Sequence, residues 1–345
     1  MRAVATLSEP TPPEPRPTEP ILQVRGLKLS IRTDEGLAAV LDHVDFALAG
    51  GHILGIVGES GCGKSTLVRA IVGILPARAM IEAGHIHFLG EDLLGLSEAE
   101  LNGRVRGRAI GFVPQDPYLA LNPVFKVGAQ LLEIMRWHAP DRGRKNARRD
   151  HRMRLVELLR RVQLPDPEAA LERYPHQFSG GQRQRLVIAA ALACAPALVI
   201  ADEPTTAVDV TTQQQILDLI RDLVEEFAFS MLFVTHDLGV VAQLCDDICV
   251  IYAGQTVESG PTRDVLAAPN HPYTRALLAC HPERSDAFVG IPGVVPSPFR
   301  PPPGCRFAPR CTYALAVCPQ RMPYLVGGPA GRKVDCVLAE IGAAA

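Results

Sequence analysis

Aromatic side chains are scarce in this 345-residue chain: they make up 5% of it, with a single tryptophan. That scarcity argues against a surface built to stack nucleic-acid bases. An excess of positive charge is missing as well. Lys and Arg number 35 against 37 Asp and Glu, a formal net charge of −2, so nothing favours nucleic acid as the default partner. No apolar run is long enough to cross a bilayer. The longest, Leu186 to Ala201, has 16 residues and contains Pro196, and it reads better as a buried helix followed by a buried strand. No secretory signal is visible either. Residues 1–20 hold six prolines and no apolar stretch, and they read as a disordered polyproline arm. Any membrane role is therefore expected to come through a partner. Disulfides are also disfavoured without export. Of nine cysteines, Cys62, Cys194, Cys245, Cys249 and Cys280 are scattered and read as small buried hydrophobes, whereas Cys305, Cys311, Cys318 and Cys336 gather near the end.

What is present is ample apolar content, 47%, enough for one large domain plus an extension, or two domains. Residues 21–57 look β-rich, with loose alternation in Leu22–Val24, Leu27–Ile31 and Val44–Leu48. Ile53–Val57 is a short apolar run of the kind a buried parallel strand shows. A helix through Leu67, Ile71 and Ile74 is expected to stop at Pro76. Further strands are predicted at 85–89, 109–113, 198–201, 230–235 and 248–252. The stretch 118–180 is predicted to be mostly helical, and Ile216, Leu217, Ile220, Leu223, Val224 and Phe227 recur at helical spacing. Alternating β and α units point to an α/β fold with a mainly parallel sheet covered by helices. Past Gly260 the texture turns proline-rich, which suggests an extension over 261–345.

The chemistry concentrates in two glycine-rich loops, each leading into a helix. The first, Gly58-Glu59-Ser60-Gly61-Cys62-Gly63-Lys64-Ser65-Thr66, is a P-loop in the strand–loop–helix context that the motif needs. Its backbone N–H groups would wrap phosphates, Lys64 would reach the β and γ phosphates, and the Ser65 hydroxyl would bind Mg²⁺. A chance glycine-rich turn is the bland alternative, which the flanking strand and helix disfavour. Asp202 ends an apolar strand, where it could hold the metal directly or through water. Glu203 follows at once and would orient or deprotonate the attacking water. The second loop is Ser179-Gly180-Gly181-Gln182, and one nucleotide needs only one such cradle.

Phe178-Ser179-Gly180-Gly181-Gln182 resembles the signature loop of the ABC ATPases. Gln115 resembles that family's Q-loop glutamine, a further Mg²⁺ and water contact. Ala207-Val208-Asp209 resembles its D-loop, and His236 its switch histidine. A lone histidine after a strand is usually structural; five motifs in the correct order are highly specific. The resemblance implies a P-loop NTPase core with an N-terminal antiparallel β subdomain and a helical subdomain, the whole cassette spanning 21–260. It also implies head-to-tail dimers with two ATP molecules in the seam. Each ATP would lie between one subunit's P-loop and the other's Ser179, Gly180, Gly181 and Gln182, with His236 on the γ-phosphate of its own P-loop. There is one departure: residues 21–45 contain no Phe, Tyr or Trp for the adenine, and Ile31 or Leu29 are the apolar substitutes.

Pro114-Gln115-Asp116-Pro117, Tyr174-Pro175-His176-Gln177, His271-Pro272-Tyr273-Thr274 and Ile291-Pro292-Gly293 are similar to the ATP-binding subunits of bacterial oligopeptide/dipeptide and nickel importers. That branch implies ATP hydrolysis coupled to peptide uptake at the cytoplasmic face of the cell membrane. The implied partners are a second homologous ATPase, two permeases and an extracytoplasmic binding protein. The helical stretch near Trp137 would take the permeases, or else is core. The basic run from Arg142 to Arg154 reads as a solvated helix face, with anionic lipid the alternative. The late cysteines, spaced C-x5-C-x6-C-x17-C, match no common zinc pair, yet four thiolates suit either Zn²⁺ or an iron–sulfur cluster. Around them the sequence resembles a motif that in some importer ATPases holds a [4Fe–4S] cluster. A soluble ABC ATPase of DNA repair or translation is the competing class. Lys64 and Ser179 stand 115 residues apart in a single cassette, which leaves no room for the long insertion those proteins usually carry.

Overall fold

Alternating apolar and polar residues make two long antiparallel strands of the N-terminal segment, β1 (Leu22–Thr33) and β2 (Gly36–Leu48). The computed structural model describes residues 19–343 apart from 142, 145–146, 207, 281–289, 324 and 328–330. Most of the expected proline arm, Arg142 and Lys145 of the basic run, and Ala207 of the D-loop-like stretch thus lie outside the described residues.

After β3 (Ile53–Val57) come β4 (Ala79–Phe88), β5 (Glu91–Asp92), β6 (Ile110–Val113), β7 (Leu198–Asp202), β8 (Ser230–Thr235), β9 (Asp247–Tyr252), β10 (Gln255–Pro261), β11 (Leu325–Gly327) and β12 (Lys333–Asp335). A four-stranded antiparallel sheet runs β2-β1-β4-β5, and an eight-stranded sheet runs β11-β12-β10-β9-β3-β8-β7-β6. Strands β9, β3, β8, β7 and β6 are mutually parallel; β10, β12 and β11 add antiparallel pairs at one edge. The expected mainly parallel core is therefore present, together with the N-terminal antiparallel sheet.

The central strands are buried on both faces, and the two-residue period sorts their side chains. Ile53 and Val57 of β3, with Met231 and Phe233 of β8, join one apolar cluster; Leu54 and Ile56, with Leu232 and Val234, join the other.

The helices are α1 (Lys64–Ile71), the single turn α2 (Glu98–Glu100), α3 (Pro117–Ala120), α4 (Val127–His138), α5 (Ala147–Arg161), α6 (Pro167–Glu172), α7 (Gly180–Leu192), α8 (Val210–Phe227), α9 (Leu238–Leu244), α10 (Thr262–Ala267), α11 (Pro272–Ala279) and α12 (Val337–Ala343). Helices α3 to α6 occupy the stretch predicted to be helical, and α7 begins where it ends. Helix α1 ends earlier than expected. Gly73 adopts a left-handed conformation, the Ile74 N–H closes back onto the Arg69 carbonyl, and Ile74 is half exposed. The run from Leu186 to Ala201 divides into α7 and β7, as its interruption by Pro196 suggested.

Candidate functional site

Four parallel strands end side by side, and each delivers polar groups to the same edge. Strand β3 leads into the P-loop, β6 to Gln115, β7 to Asp202 and Glu203, and β8 to His236. Ligands bind at that carboxyl edge in open parallel sheets. A cavity of about 540 Å³ opens there, lined by Val40, the P-loop from Gly58 to Thr66 except Cys62, Gln115, Glu203, His236 and Leu277. The Cys62 side chain turns inward instead and is 2% exposed.

Gly63 makes the loop-to-helix turn at φ 103°, where a Cβ would fall 2.8 Å from the Leu41 side chain. Lys64 starts α1 and is buried. Its ammonium donates to the carbonyls of Gly58 at 2.7 Å and Glu59 at 3.1 Å, so the loop wraps around a cation.

Burial pushes the Asp202 carboxyl above its usual range and neighbouring Glu203 adds to this, while a Ser65 hydrogen bond and the Lys64 and Arg69 charges oppose it. One Asp202 oxygen is buried without a hydrogen-bond partner. A buried, underpaired carboxyl joined to a P-loop hydroxyl is a donor set that suits Mg²⁺. Glu203 accepts from the Gln115 amide at 3.1 Å and from the Thr206 hydroxyl at 3.1 Å, and its other oxygen lies 3.2 Å from His236 Nδ1. Residues 88 and 33 positions away are thus gathered on one carboxylate. Such a group can orient a water against a phosphate and take its proton.

The second glycine loop caps α7. The Ser179 hydroxyl accepts from the Gln182 N–H at 3.3 Å, and the Gln182 side chain accepts from the Ser179 N–H at 3.1 Å. Gly180 lies against the Tyr118 hydroxyl, and the Arg183 guanidinium covers the Tyr118 ring at 4.3 Å. None of Ser179, Gly180, Gly181 and Gln182 is among the residues lining the P-loop cavity. Asp209 caps α8 through the Thr212 N–H at 2.9 Å and the Thr212 hydroxyl at 2.7 Å, also outside that lining.

The apolar part of the cavity wall differs from expectation. Leu29 is fully buried and pairs across the sheet with Leu41, and neither it nor Ile31 lines the cavity. Val40 and Leu277 do. Val40 lies within β2 and carries no local signal. Leu277 lies in α11, whose opening His271-Pro272-Tyr273-Thr274 was noted in the sequence without its packing partner. Thr206, three residues after Glu203, belongs to no motif that would single it out in the sequence.

Cys305, Cys311, Cys318 and Cys336 line one small cavity of about 20 Å³. They are free thiols, and among the described residues no group of three or more His, Cys, Asp or Glu is placed to hold a metal ion. Burial pushes Cys305 up to about 12 and raises Cys311 and Cys336, which keeps these thiols protonated.

Fold and site together define a P-loop nucleoside-triphosphatase with a second glycine-rich loop that lies outside the P-loop cavity. Residues 41–206 match the ABC transporter family, and residues 257–318 match the C-terminal region of oligopeptide/dipeptide transporters. The chain is 41% identical over 334 residues to the oligopeptide transport ATP-binding protein OppD of Salmonella typhimurium, covering 96% of this chain and 97% of that one. It is 44% identical over 309 residues to the dipeptide transport ATP-binding protein DppD of Bacillus subtilis, covering 88% and 90%. Among solved structures it is similar to an ATP-binding cassette captured as a dimer in a post-hydrolysis state with ADP and phosphate. The TM-score is 0.60 at 27% identity, covering 70% of this chain and 99% of that one. The chain belongs to the ATP-binding subunits of ABC transporters, in the oligopeptide/dipeptide branch, and it is an ATPase.

Proposed function

We propose that this ATPase powers import of peptides through partner permeases, and that it does so as half of a head-to-tail pair with a second, homologous subunit. The observation that carries the reading is the meeting of Gln115, Glu203 and His236 beside the P-loop while Ser179–Gln182 stands outside the same cavity. Each chain then offers one hydrolytic half-site and one free signature loop. ATP hydrolysis here is positioning and charge neutralisation. Lys64 and the loop N–H groups would take the phosphates, Ser65, Asp202 and Gln115 would hold Mg²⁺, which would neutralise phosphate charge, and Glu203 would receive the water's proton. His236 and the partner subunit's signature loop close on the γ-phosphate, so closure depends on that phosphate and hydrolysis releases it. Val40 and Leu277 flank the base in place of an aromatic ring.

Tyr118, Leu119, Val124, Phe125 and Trp137, in the helical segment after Gln115, are all more than half exposed, which supports that segment as the permease-facing surface. Among the described residues no helix is long and apolar enough to cross a membrane, in keeping with peripheral attachment at the cytoplasmic face. A binding protein and the permeases would choose the cargo; nickel is the alternative within the branch. The direct test is reconstitution with both permeases, the partner ATPase and the binding protein in liposomes. Peptide-stimulated, ATP-dependent uptake is expected, and stimulation by nickel in place of peptide would redirect the reading.

The four C-terminal thiols are read as a structural staple. They share one cavity and their chemistry suits Zn²⁺ or a [4Fe–4S] cluster, although loading would require deprotonation and a wider cavity. Metal analysis and the absorbance spectrum of anaerobically purified protein decide between iron, zinc and free thiols.

A further inference from the structure

Glu59 is an odd residue for its place. It is the second residue of a loop that must receive a polyanion, and its carboxylate carries the same sign as the phosphates. Like charges in one small site repel, so an unpaired Glu59 would weaken the ligand it helps to line. The structure pairs it with a residue 251 positions away. Arg310 Nη1 donates to one Glu59 oxygen at 2.8 Å and Nη2 donates to the other at 3.2 Å, a bidentate fork.

Nothing about Arg310 is loose. Its side chain is 4% exposed, against 27% for Glu59. The remaining N–H groups donate to the Pro292 carbonyl at 2.9 Å, the Ile291 carbonyl at 2.8 Å and the Tyr252 hydroxyl at 3.2 Å, so all five donors are used. Gly293 turns at φ 83°, and a Cβ there would lie 3.0 Å from Arg310 Cγ. The Ile291-Pro292-Gly293 turn is therefore shaped to seat this guanidinium. A second fastener comes from α11: the fully buried Tyr273 hydroxyl accepts from the Glu59 backbone N–H at 3.0 Å. The C-terminal segment thus grips one P-loop residue by both its side chain and its backbone.

We propose that Arg310 is a positioning residue for nucleotide binding: it neutralises and pins the P-loop carboxylate of Glu59, so that the C-terminal segment sets the affinity of the loop for phosphate. The proposal rests on the P-loop cavity being the nucleotide site. It requires the effect of Arg310 to grow with ligand charge and to vanish when Glu59 is uncharged. A part in folding alone would do neither.

The test is equilibrium binding of ATP and AMP, with Mg²⁺, to the full-length chain and to Arg310→Ala, Arg310→Lys and the double variant Glu59→Gln/Arg310→Ala. Arg310→Ala is expected to weaken ATP binding about tenfold and AMP binding much less, as expected of one uncompensated charge in a partly desolvated loop. The added Glu59→Gln is expected to restore ATP affinity to within about threefold of wild type. Arg310→Lys keeps the charge and loses the fork, and should fall between wild type and Arg310→Ala. An equal loss for ATP and AMP, or no recovery in the double variant, overturns the proposal. If Arg310→Ala does not fold, Arg310→Lys with and without Glu59→Gln makes the same comparison, and a loss that Glu59→Gln fails to relieve overturns it equally. Wild-type protein that binds no ATP would instead refute the nucleotide-site reading underneath.

Discussion

Glu203 occupies a left-handed backbone position, φ 48°, at the end of β7, with its N–H bonded to the Val234 carbonyl at 2.8 Å. A non-glycine residue there costs about 1–2 kcal/mol, and the neighbouring strand holds it in place. That placement carries its carboxylate to Gln115 and His236. Substituting Glu203→Gln keeps the shape and removes the base. Phosphate release should fall about 10²- to 10⁴-fold while ATP binding persists, read by a turnover assay beside a binding titration. Unchanged turnover would remove the assignment. Leu277→Ala should trim the apolar wall and weaken ATP a few-fold, as loss of about 1 kcal/mol of apolar contact implies, with binding of inorganic tripolyphosphate unaffected. The phosphate side of the site was legible in the sequence because each group sits in a contiguous motif at a strand end. The base side was not. Leu29 and Val40 are both apolar residues of alternating strands, and only the cross-strand register decides that the first enters the core.

At the level of elements, the helix and strand pattern follows local chemistry wherever one signal dominates. Strand β3 and helix α8 were plain from an unbroken apolar run and a 3.6-residue stripe. Helix α1 stops before Pro76 because Gly73, at φ 70°, terminates it first. The ties between distant elements had no local signal at all. Arg306, 3% exposed, donates to the carbonyls of Ala39 and Ala253 and pairs with Asp42 of β2 at 3.2 Å. Burial pulls the Asp42 carboxyl upward, but Arg306, a Gln255 hydrogen bond, His43 and Lys28 together hold it below its ordinary value of 3.8. A depressed carboxylate contributes stability that is complete above the unfolded value and is lost as pH falls through the folded one. Asp42→Asn should therefore cost about 2 kcal/mol at pH 7, and the gap should start to narrow as pH falls below the ordinary value of 3.8. Melting temperatures of both proteins across pH 3–7 check this, and a constant gap would contradict it.

Across the whole molecule, the two glycine-rich loops face different surroundings. One shares its cavity with Glu203; the other caps α7 beside Tyr118, outside that cavity. The sequence announced both loops and their order. It did not announce that residues far past the cassette, Tyr273, Leu277 and Arg310, would close over the first. Those contacts join positions more than 200 residues apart, and one sequence cannot reveal them. With β10, β11 and β12 extending the core sheet, the C-terminal segment belongs to the same folded body as the P-loop. Adding a negative charge at the second loop, Gly181→Asp, should leave ATP binding to the P-loop intact and abolish ATP-dependent pairing, as followed by sedimentation of the Glu203→Gln protein with its partner subunit.

The decisive measurement is a structure of the Glu203→Gln protein loaded with MgATP in its assembled state. We expect each triphosphate to be contacted by Lys64 of one chain and by the signature serine and glycines of the other. A single chain enclosing its triphosphate with Ser179 exposed to solvent would contradict the paired-site mechanism.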